Sequence, residues 1–328
     1  MGTRLLLHST FLLLLPVIVA GFGISLPGAF ALVLLALLWR WAISLSVIAA
    51  PVKTPELELE TISISHYVEK VRWCMDRLGL DYVEKPSGGA LGAFFLGRTV
   101  PVLKFRTGAV RSSIGNSPEI LRYLWGRYSP QVGESANFLQ ADHERLELES
   151  KIDRCGVNLQ VWVYYHLLDD PELTQHAWGS QNPGIPAWQR WSMRLIFPLL
   201  GFLIRRAFRI STAHHARAVE HIDTLLAEVD ARLEDGRKSI LGGDEINYSD
   251  ISFAAIMGLW LQPEGFGGGK ADSVRIERDQ TPLAMRAEIE RWSEQYPRAT
   301  MFIERMYHEE RLPPTLQRGK DNNGKSKQ

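Results

Sequence analysis

The stretch that decides the fold of this chain reads Ser65-His66-Tyr67-Val68-Glu69-Lys70-Val71-Arg72 and leads into Trp73 to Gly79. Its apolar residues recur at helical spacing, and Gly79 is a typical C-terminal stop for a helix. Serine is favoured just before a helix, where its hydroxyl accepts from the first backbone N–H groups. The stretch therefore predicts an amphipathic helix that begins beside a hydroxyl.

Short strand patterns surround this helix. Leu57, Leu59 and Ile62 predict a strand before it, and Tyr82-Val83-Glu84 predicts a strand after it. Gly88 to Gly97 is interpreted as a loop or a brief helix. Val102 to Phe105 and Val110 to Ser112 flank Thr107-Gly108 and predict a β-hairpin. Ile120 to Leu124 then predicts a helix that ends near Pro130. This βαβ, then ββα, order predicts a thioredoxin-like layout.

From Asn137 onward the strand patterns disappear and helical patterns take over. They cover Phe138 to Leu168, Ala187 to Phe208, His214 to Leu233, Tyr248 to Leu261 and Pro282 to His308. Asn247 and Asp250 have the spacing of a capping box at the start of one of these helices. The fold class is therefore predicted as α+β, with an all-helical C-terminal domain.

The N-terminal segment is strongly apolar. Leu5 to Gly23 is nearly uncharged, and Leu26 to Val52 contains a single charge, Arg40, between two tryptophans. Because a spanning helix needs about 20 apolar residues, the segment predicts a transmembrane helix or a helical hairpin that turns at Ser25 to Gly28. A cleaved signal peptide is the alternative. The predicted domains are 1–53 (membrane segment), 54–130 (thioredoxin-like), 131–312 (all-helical) and 313–328 (disordered tail).

Charge and cysteine content limit the classes of function. The chain has 37 basic and 37 acidic residues, so its balance gives no reason to expect a nucleic-acid partner. Cys74 and Cys155 lack disulfide-framework or metal-ligand spacing, which favours a reducing compartment and predicts no metal site. The protein is therefore expected at a membrane, with its globular domains on the reducing, cytosolic side.

These motifs together resemble the glutathione S-transferase superfamily over about residues 56 to 310. Ser65 matches the serine of the zeta, tau and theta-like pattern, in which a serine precedes a Lys/Arg-Val-Arg/Lys run. The resemblance implies glutathione as co-substrate and Ser65 as the donor to its thiolate, with Tyr67 and Ser63 as neighbouring hydroxyls that could substitute. His66 replaces the proline that is usual in related motifs.

The same resemblance implies the rest of a glutathione-binding site. Val100-Pro101 corresponds to a cis-proline whose preceding backbone pairs with the cysteinyl part of the peptide; an ordinary trans-proline at the start of an edge strand is the alternative. Asn116-Ser117 stands where the family usually has Glu-Ser or Asp-Ser, so Ser117 and a helix N-terminus would hold the γ-glutamyl carboxylate. Arg98 is the candidate partner of the glycyl carboxylate, with simple surface charge as the alternative.

Two functions from different classes remain open. The first is a membrane-tethered glutathione transferase that acts on an apolar electrophile, with membrane lipid as a further partner and a homodimer as an option. The second is a noncatalytic transferase-like module, comparable with metaxin-type membrane proteins, that binds a protein or lipid. Asn116 and His66 favour the second function, whereas Ser65 favours the first.

One further segment has two interpretations. Trp188 to Ile204 is rich in tryptophan and aliphatic residues, and five arginines lie between Arg190 and Arg209. A buried bundle helix explains most of the apolar residues. A basic amphipathic helix on an anionic membrane surface is the alternative.

Overall fold

A computed structural model gives the structure of the protein and describes residues 14, 17–18, 20–48, 54–86, 100–107, 110–181, 185 and 187–311. The chain forms two compact units. One contains residues 1–56 with 105–112, and the other contains residues 57–104 with 113–328. The domain limits that the sequence predicts stay predictions.

The first unit contains one long helix, α1 (Leu26–Ile48). The chain turns before it at Gly23, which has a φ of 87° and donates its N–H to the Ala20 carbonyl oxygen at 3.1 Å. Pro27 lies in the first turn of α1, where a missing N–H removes no helical bond, so Ser25 to Gly28 is not the turn. Among the described residues, no helix combines enough length with enough apolar character to cross a membrane. The predicted spanning helix is therefore not supported there.

A four-stranded sheet carries the N-terminal part of the fold. Its strands are β1 (Glu56–Thr61), β2 (Tyr82–Pro86), β3 (Val102–Thr107) and β4 (Val110–Gly115), in the order β2-β1-β3-β4. Strands β1 and β2 are parallel, with Leu57 opposite Tyr82. The connection between β3 and β4 is so short that only an antiparallel pair can be joined by it. The predicted hairpin and the mixed α+β class are confirmed.

Two helices complete the thioredoxin-like arrangement: α2 (His66–Arg77) connects β1 to β2, and α3 (Ser117–Val132) follows β4. Helix α3 continues past Pro130, the residue near which the sequence predicts its end. Pro130 lies in the last turn, where its missing N–H costs a single helical bond and leaves the rest of the helix intact. The loop predicted over Gly88 to Gly97 lies outside the described residues.

The remainder is helical, as predicted. The helices are α4 (His143–Leu167), α5 (Pro171–Ala177), α6 (Ala187–Ala207), α7 (Thr212–Arg232), α8 (Tyr248–Leu261), α9 (Leu283–Gln295) and α10 (Pro297–Arg305). Short 3-10 turns lie at Gly133–Leu139, Phe266–Gly269 and Asp272–Val274, and a π-helical turn lies at Met306–Glu310. Helix α8 is buried on nearly every side and packs against both α2 and α4.

Two local features decide where these helices begin and end. The predicted capping box is present at α8, where Asn247 and Asp250 satisfy each other's backbone N–H groups. The single helix predicted over Pro282 to His308 is instead two helices, because Pro297 excludes its preceding residue, Tyr296, from helical geometry. The predicted disordered tail lies outside the described residues.

Candidate functional site

Two cavities meet between the thioredoxin-like part and the helices that follow it. A polar cavity of about 590 Å³ lies among α2, the Val100-Pro101 segment, α3 and α4. An apolar cavity of about 290 Å³ lies among the start of α2, α4, and the residues around α5 and α6. Val100 and Gln160 line both cavities. A ligand with one polar and one apolar part could therefore occupy both at once.

Ser65 lies at the N-terminus of α2 and lines the apolar cavity. Its Oγ accepts from the Val68 backbone N–H at 3.4 Å, which is a long hydrogen bond and makes Ser65 the helix cap. The hydroxyl proton is not used in that bond, since Oγ acts there as the acceptor. Ser65 can therefore donate to an anion held at the start of α2.

Tyr67 lines the polar cavity, but its hydroxyl already has a partner. The Tyr67 O–H donates to the Asp153 backbone carbonyl oxygen at 2.7 Å. Burial raises the pKa of the Tyr67 phenol, and the Asp153 carboxylate raises it further. Tyr67 thus remains protonated and offers a ligand only its oxygen lone pairs.

His66 is buried between α2 and α4. Its ring stacks obliquely on Tyr67 with 4.2 Å between centroids, and its Nε2 has no hydrogen-bond partner among the described residues. Burial lowers the pKa of the His66 imidazole to about 3. The imidazole is therefore neutral at physiological pH and adds no positive charge beside Ser65.

Gly156 on α4 makes this close packing possible. A Cβ at this position would lie 2.6 Å from the Tyr67 Oη and 3.1 Å from the His66 Nε2, which is closer than atoms in contact allow. The helix α4 backbone can approach α2 only because this residue has no side chain. A sequence pattern gives no signal for this, since the two residues that need the space are distant in the chain.

We expect Gly156→Ala to lower the free energy of unfolding by about 1–3 kcal/mol, because an added methyl group in a filled space forces its neighbours to move. Gly126→Ala is the matched control, since Gly126 lies in α3 and a Cβ added there would meet nothing within 4 Å. The Gly126→Ala substitution should raise the free energy of unfolding by up to about 1 kcal/mol. Urea unfolding followed by circular dichroism measures both, and equal shifts would contradict the close contact.

The structure places four of the predicted binding residues around the polar cavity: Val100, Pro101, Asn116 and Ser117. The Val100-Pro101 peptide bond is cis, as the resemblance implied, and both residues line the cavity. Arg98 lies outside the described residues. Asn116 caps α3 with a φ of 72°, which is unusual for a residue other than glycine, and its side chain makes no capping bond.

Ser117 is the clearest binding element of the polar cavity. It is the first residue of α3, it is 1% exposed, and its Oγ has no hydrogen-bond partner among the described residues. A buried hydroxyl without a partner costs free energy, so it is normally satisfied by a ligand or by water. Together with the N–H groups at the start of α3, Ser117 can hold a carboxylate.

An ion-pair network on α4, which the sequence did not predict, forms one wall of the polar cavity. Lys70 Nζ on α2 lies 2.7 Å from Glu149 Oε1 and 2.9 Å from Asp153 Oδ1, and Arg122 Nη1 lies 3.3 Å from Glu149 Oε2. The Lys70 side chain is fully buried. Two cations balance two carboxylates, so this wall fixes α4 against α2 without giving the cavity a net charge.

His166, His215 and Glu288 form a second cluster that the sequence did not indicate. The Nε2 atoms of the two histidines lie 3.0 and 3.4 Å from Glu288 Oε2, and the three ligand atoms lie within 4.8 Å of one another. Trp162 donates its indole N–H to the same carboxylate oxygen. The cluster hydrogen-bonds α4 to α9 and brings α7 against them.

Comparison with known proteins gives distant structural neighbours only. No family model matches the chain, and no curated protein sequence matches it. A glutathione S-transferase from Methylobacterium radiotolerans, in complex with glutathione sulfonate, is 16% identical and has a TM-score of 0.45; the match covers 78% of this chain and 92% of that one.

Two further solved structures are similarly distant. A glutathione S-transferase from Methylobacillus flagellatus with glutathione bound is 18% identical over 79% of this chain and all of that chain, with a TM-score of 0.46. A maleylacetoacetate isomerase from Anaeromyxobacter dehalogenans with bound dicarboxyethyl glutathione is 15% identical, covers 81% and 91% of the two chains, and has a TM-score of 0.42. These identities and TM-scores are too low to assign this chain a family, a ligand or an activity.

Proposed function

We propose that this protein is a glutathione transferase that joins the glutathione thiolate to an apolar electrophile. The observation that carries the proposal is the meeting of a polar and an apolar cavity at Val100 and Gln160, beside Ser65. The polar cavity would hold the peptide and the apolar cavity would hold the electrophile. The thiol would then lie at the junction, close to the start of α2.

The chemistry needed at Ser65 is modest. A free thiol has a pKa of about 8.5, and lowering it by two units requires about 2.7 kcal/mol of thiolate stabilisation. A charge-assisted hydrogen bond from the Ser65 hydroxyl contributes about 1.5–3 kcal/mol, and the N-terminus of α2 contributes up to about 2 kcal/mol. Together these two contributions suffice for a thiolate at neutral pH.

The polar cavity has groups suited to the peptide. Ser117 Oγ and the N-terminal N–H groups of α3 would bind the γ-glutamyl carboxylate, and the Val100 backbone would pair with the cysteinyl residue. Asn116 would accept from the ammonium group without adding charge attraction. Arg98 stays a predicted partner of the glycyl carboxylate.

We expect Ser65→Ala to reduce the glutathione-dependent rate by about 10- to 150-fold, the equivalent of losing about 1.5–3 kcal/mol. The measurement is the conjugation rate with 1-chloro-2,4-dinitrobenzene, together with glutathione calorimetry on the parent protein. Ser63→Ala, a neighbouring serine outside both cavities, is the control and should keep the rate. Because Ser65 also caps α2, its loss costs about 0.5–2 kcal/mol of stability, so folding must be verified. An unchanged rate in Ser65→Ala would show that Ser65 does not stabilise the glutathione thiolate.

Attachment to a lipid membrane is part of the proposal. Helix α1 exposes large apolar side chains such as Leu35, Trp39 and Trp41, which water solvates poorly. Cys74 and Cys155 are free and buried, which suits the reducing side of a membrane. Cell fractionation tests the attachment, since the protein should sediment with membranes and resist carbonate extraction. A homodimer stays a prediction.

A noncatalytic, metaxin-type module is the second candidate function. It is favoured by the structural roles that the two hydroxyls already have, Ser65 as helix cap and Tyr67 as donor to the Asp153 carbonyl oxygen. The same calorimetry distinguishes the candidates. If glutathione gives neither binding heat nor turnover, the result would favour the noncatalytic module, whose cavities bind a protein or lipid partner.

A further inference from the structure

Helix α6 presents a row of large apolar side chains to solvent, here called the outer stripe. Its members are each 57 to 66% exposed and are Trp188, Trp191, Leu195, Leu199 and Phe202. Their spacing of three or four residues places them on one face of the helix. Large apolar surfaces of this kind mark contact sites for membranes or other proteins.

The outer stripe is not needed for the packing of α6. The opposite face of the helix buries Met193, Phe197 and Leu200 against Trp178, and this cluster is the core contact of α6. A bundle helix requires one apolar face, whereas α6 has two. The interpretation of this segment as a buried bundle helix therefore accounts for the inner face only.

The charged residues of α6 and of the turn that follows it are all positive. No acidic residue lies between Ala187 and Arg209, while five arginines do. Arg205 pairs with Asp169, and Arg194 donates to the Gln181 side chain. Arg190 and Arg206 have no acidic partner among the described residues. A partner for this face should therefore combine an apolar interior with a negatively charged surface.

We propose that the outer stripe of α6 lies on the surface of an anionic lipid bilayer. Tryptophan rings are suited to the depth of the lipid headgroups, and Arg206, which is exposed on the same face of the helix, can meet lipid phosphates. A second copy of the chain fits less well, because a two-fold interface would bring arginines against arginines. This lipid contact is independent of the proposed chemistry at Ser65.

The inner side of the same segment borders the apolar cavity, which links the proposed lipid contact to that cavity. Ile204 in α6 and Phe208 just after it line the apolar cavity. The segment that contacts lipid would thus also form a wall of the cavity proposed for the electrophile. An apolar compound dissolved in the bilayer would be concentrated beside this cavity.

A fluorescent label on α6 tests the contact separately from α1. Both native cysteines are buried, and burial raises the thiol pKa of each to about 12, so a thiol-reactive nitrobenzoxadiazole label should attach only to a new surface cysteine. Leu195→Cys carries the label in the outer stripe of the full chain. Glu220→Cys, exposed on α7, is the matched control.

Mixed phosphatidylglycerol and phosphatidylcholine vesicles should shift the Leu195→Cys label emission to shorter wavelength and make it sensitive to a lipid-borne quencher, with no change at the control. Adding Arg206→Gln, which lies on the same helical face as the stripe, should weaken this contact about 5-fold, the contribution of one arginine near an anionic surface. If the protein floats with the vesicles while the emission of the Leu195→Cys label stays at its wavelength in water, the proposal is overturned. An emission shift that appears without vesicles and grows with protein concentration would also overturn it, in favour of self-association.

Discussion

Replacing Arg311 with methionine is expected to lower the free energy of unfolding by about 3–5 kcal/mol, because it leaves the buried Asp76 carboxylate without its cation and Glu69 with Arg72 alone. Arg311 donates through Nε to Glu69 Oε1 at 2.8 Å and through Nη1 to Asp76 Oδ2 at 2.9 Å. All three side chains are at most 3% exposed. The arginine thereby joins the end of the described chain to the inner face of α2.

Arg77→Met is the matched control for this prediction. Arg77 also lies on α2 and also pairs with the C-terminal turn, through Glu310 at 2.8 Å, but both side chains are about 30% exposed. Solvent-exposed pairs contribute only about 0.2–1 kcal/mol. Urea unfolding of the two variants therefore compares a buried pair with an exposed pair between the same elements. Equal losses would show that water or a rearranged neighbour replaces the Arg311 charge.

Within the glycine cluster from Gly265 to Gly269, the position of Arg311 explains Gly268. A Cβ on Gly268 would lie 2.5 Å from Arg311 Nη2, and one on Gly267 would lie 2.6 Å from the Ala271 Cβ. Both glycines have positive φ angles, which other residues adopt only at a cost. Lys270 follows the cluster but precedes Ala271, where a phosphate-binding loop has serine or threonine. Gly268 instead lets the buried Arg311 guanidinium approach the backbone.

The sequence predicted the elements whose signals are local. Strand β1, helix α2 and helix α8 depend on alternation, on helical spacing and on a capping box, all of which can be identified within about ten residues. The break between α9 and α10 was missed because the helical pattern continues through Tyr296 while Pro297 interrupts only the backbone. A pattern of side chains does not show such a break.

The candidate site was predicted on one side only. Ser65, Val100, Pro101 and Ser117 could be found because they belong to ordered motifs of the thioredoxin-like part. The opposite wall, with Glu149, Asp153 and Gly156, comes from α4, and Asp153 is 83 residues away from its partner Lys70 on α2. Contacts between such distant segments depend on how helices pack, and no periodicity in either segment indicates them.

The role of helix α6 is a further feature that the sequence alone could not predict. Its composition is compatible with a buried helix and with a membrane-surface helix, because both need many apolar residues. Only the arrangement in space separates the inner face, which packs on Trp178, from the outer stripe, which remains exposed. The decision between the two interpretations therefore needed the positions of the neighbouring helices.

The buried histidine at the start of α2 is expected to make the protein sensitive to acid. In the unfolded chain His66 binds a proton near its ordinary pKa of 6.5, whereas in the folded protein burial lowers the pKa to about 3. Between these values only the unfolded state is protonated, so stability falls as the pH falls, by about 1.4 kcal/mol per unit. Above pH 6.5 neither state is protonated and the effect vanishes.

His66→Gln isolates this contribution, because glutamine has a similar length and does not ionise. Between about pH 6.5 and 4.5 the parent protein should lose about 2–3 kcal/mol more stability than the variant, as measured by urea unfolding at each pH. Above pH 7 the two curves should run parallel, which serves as the internal control. Curves that stay parallel down to pH 4.5 would mean that the folded protein accepts the proton at His66 Nε2. Because folded molecules keep His66 neutral over this range, any loss of activity caused by His66 should follow the fraction of unfolded protein.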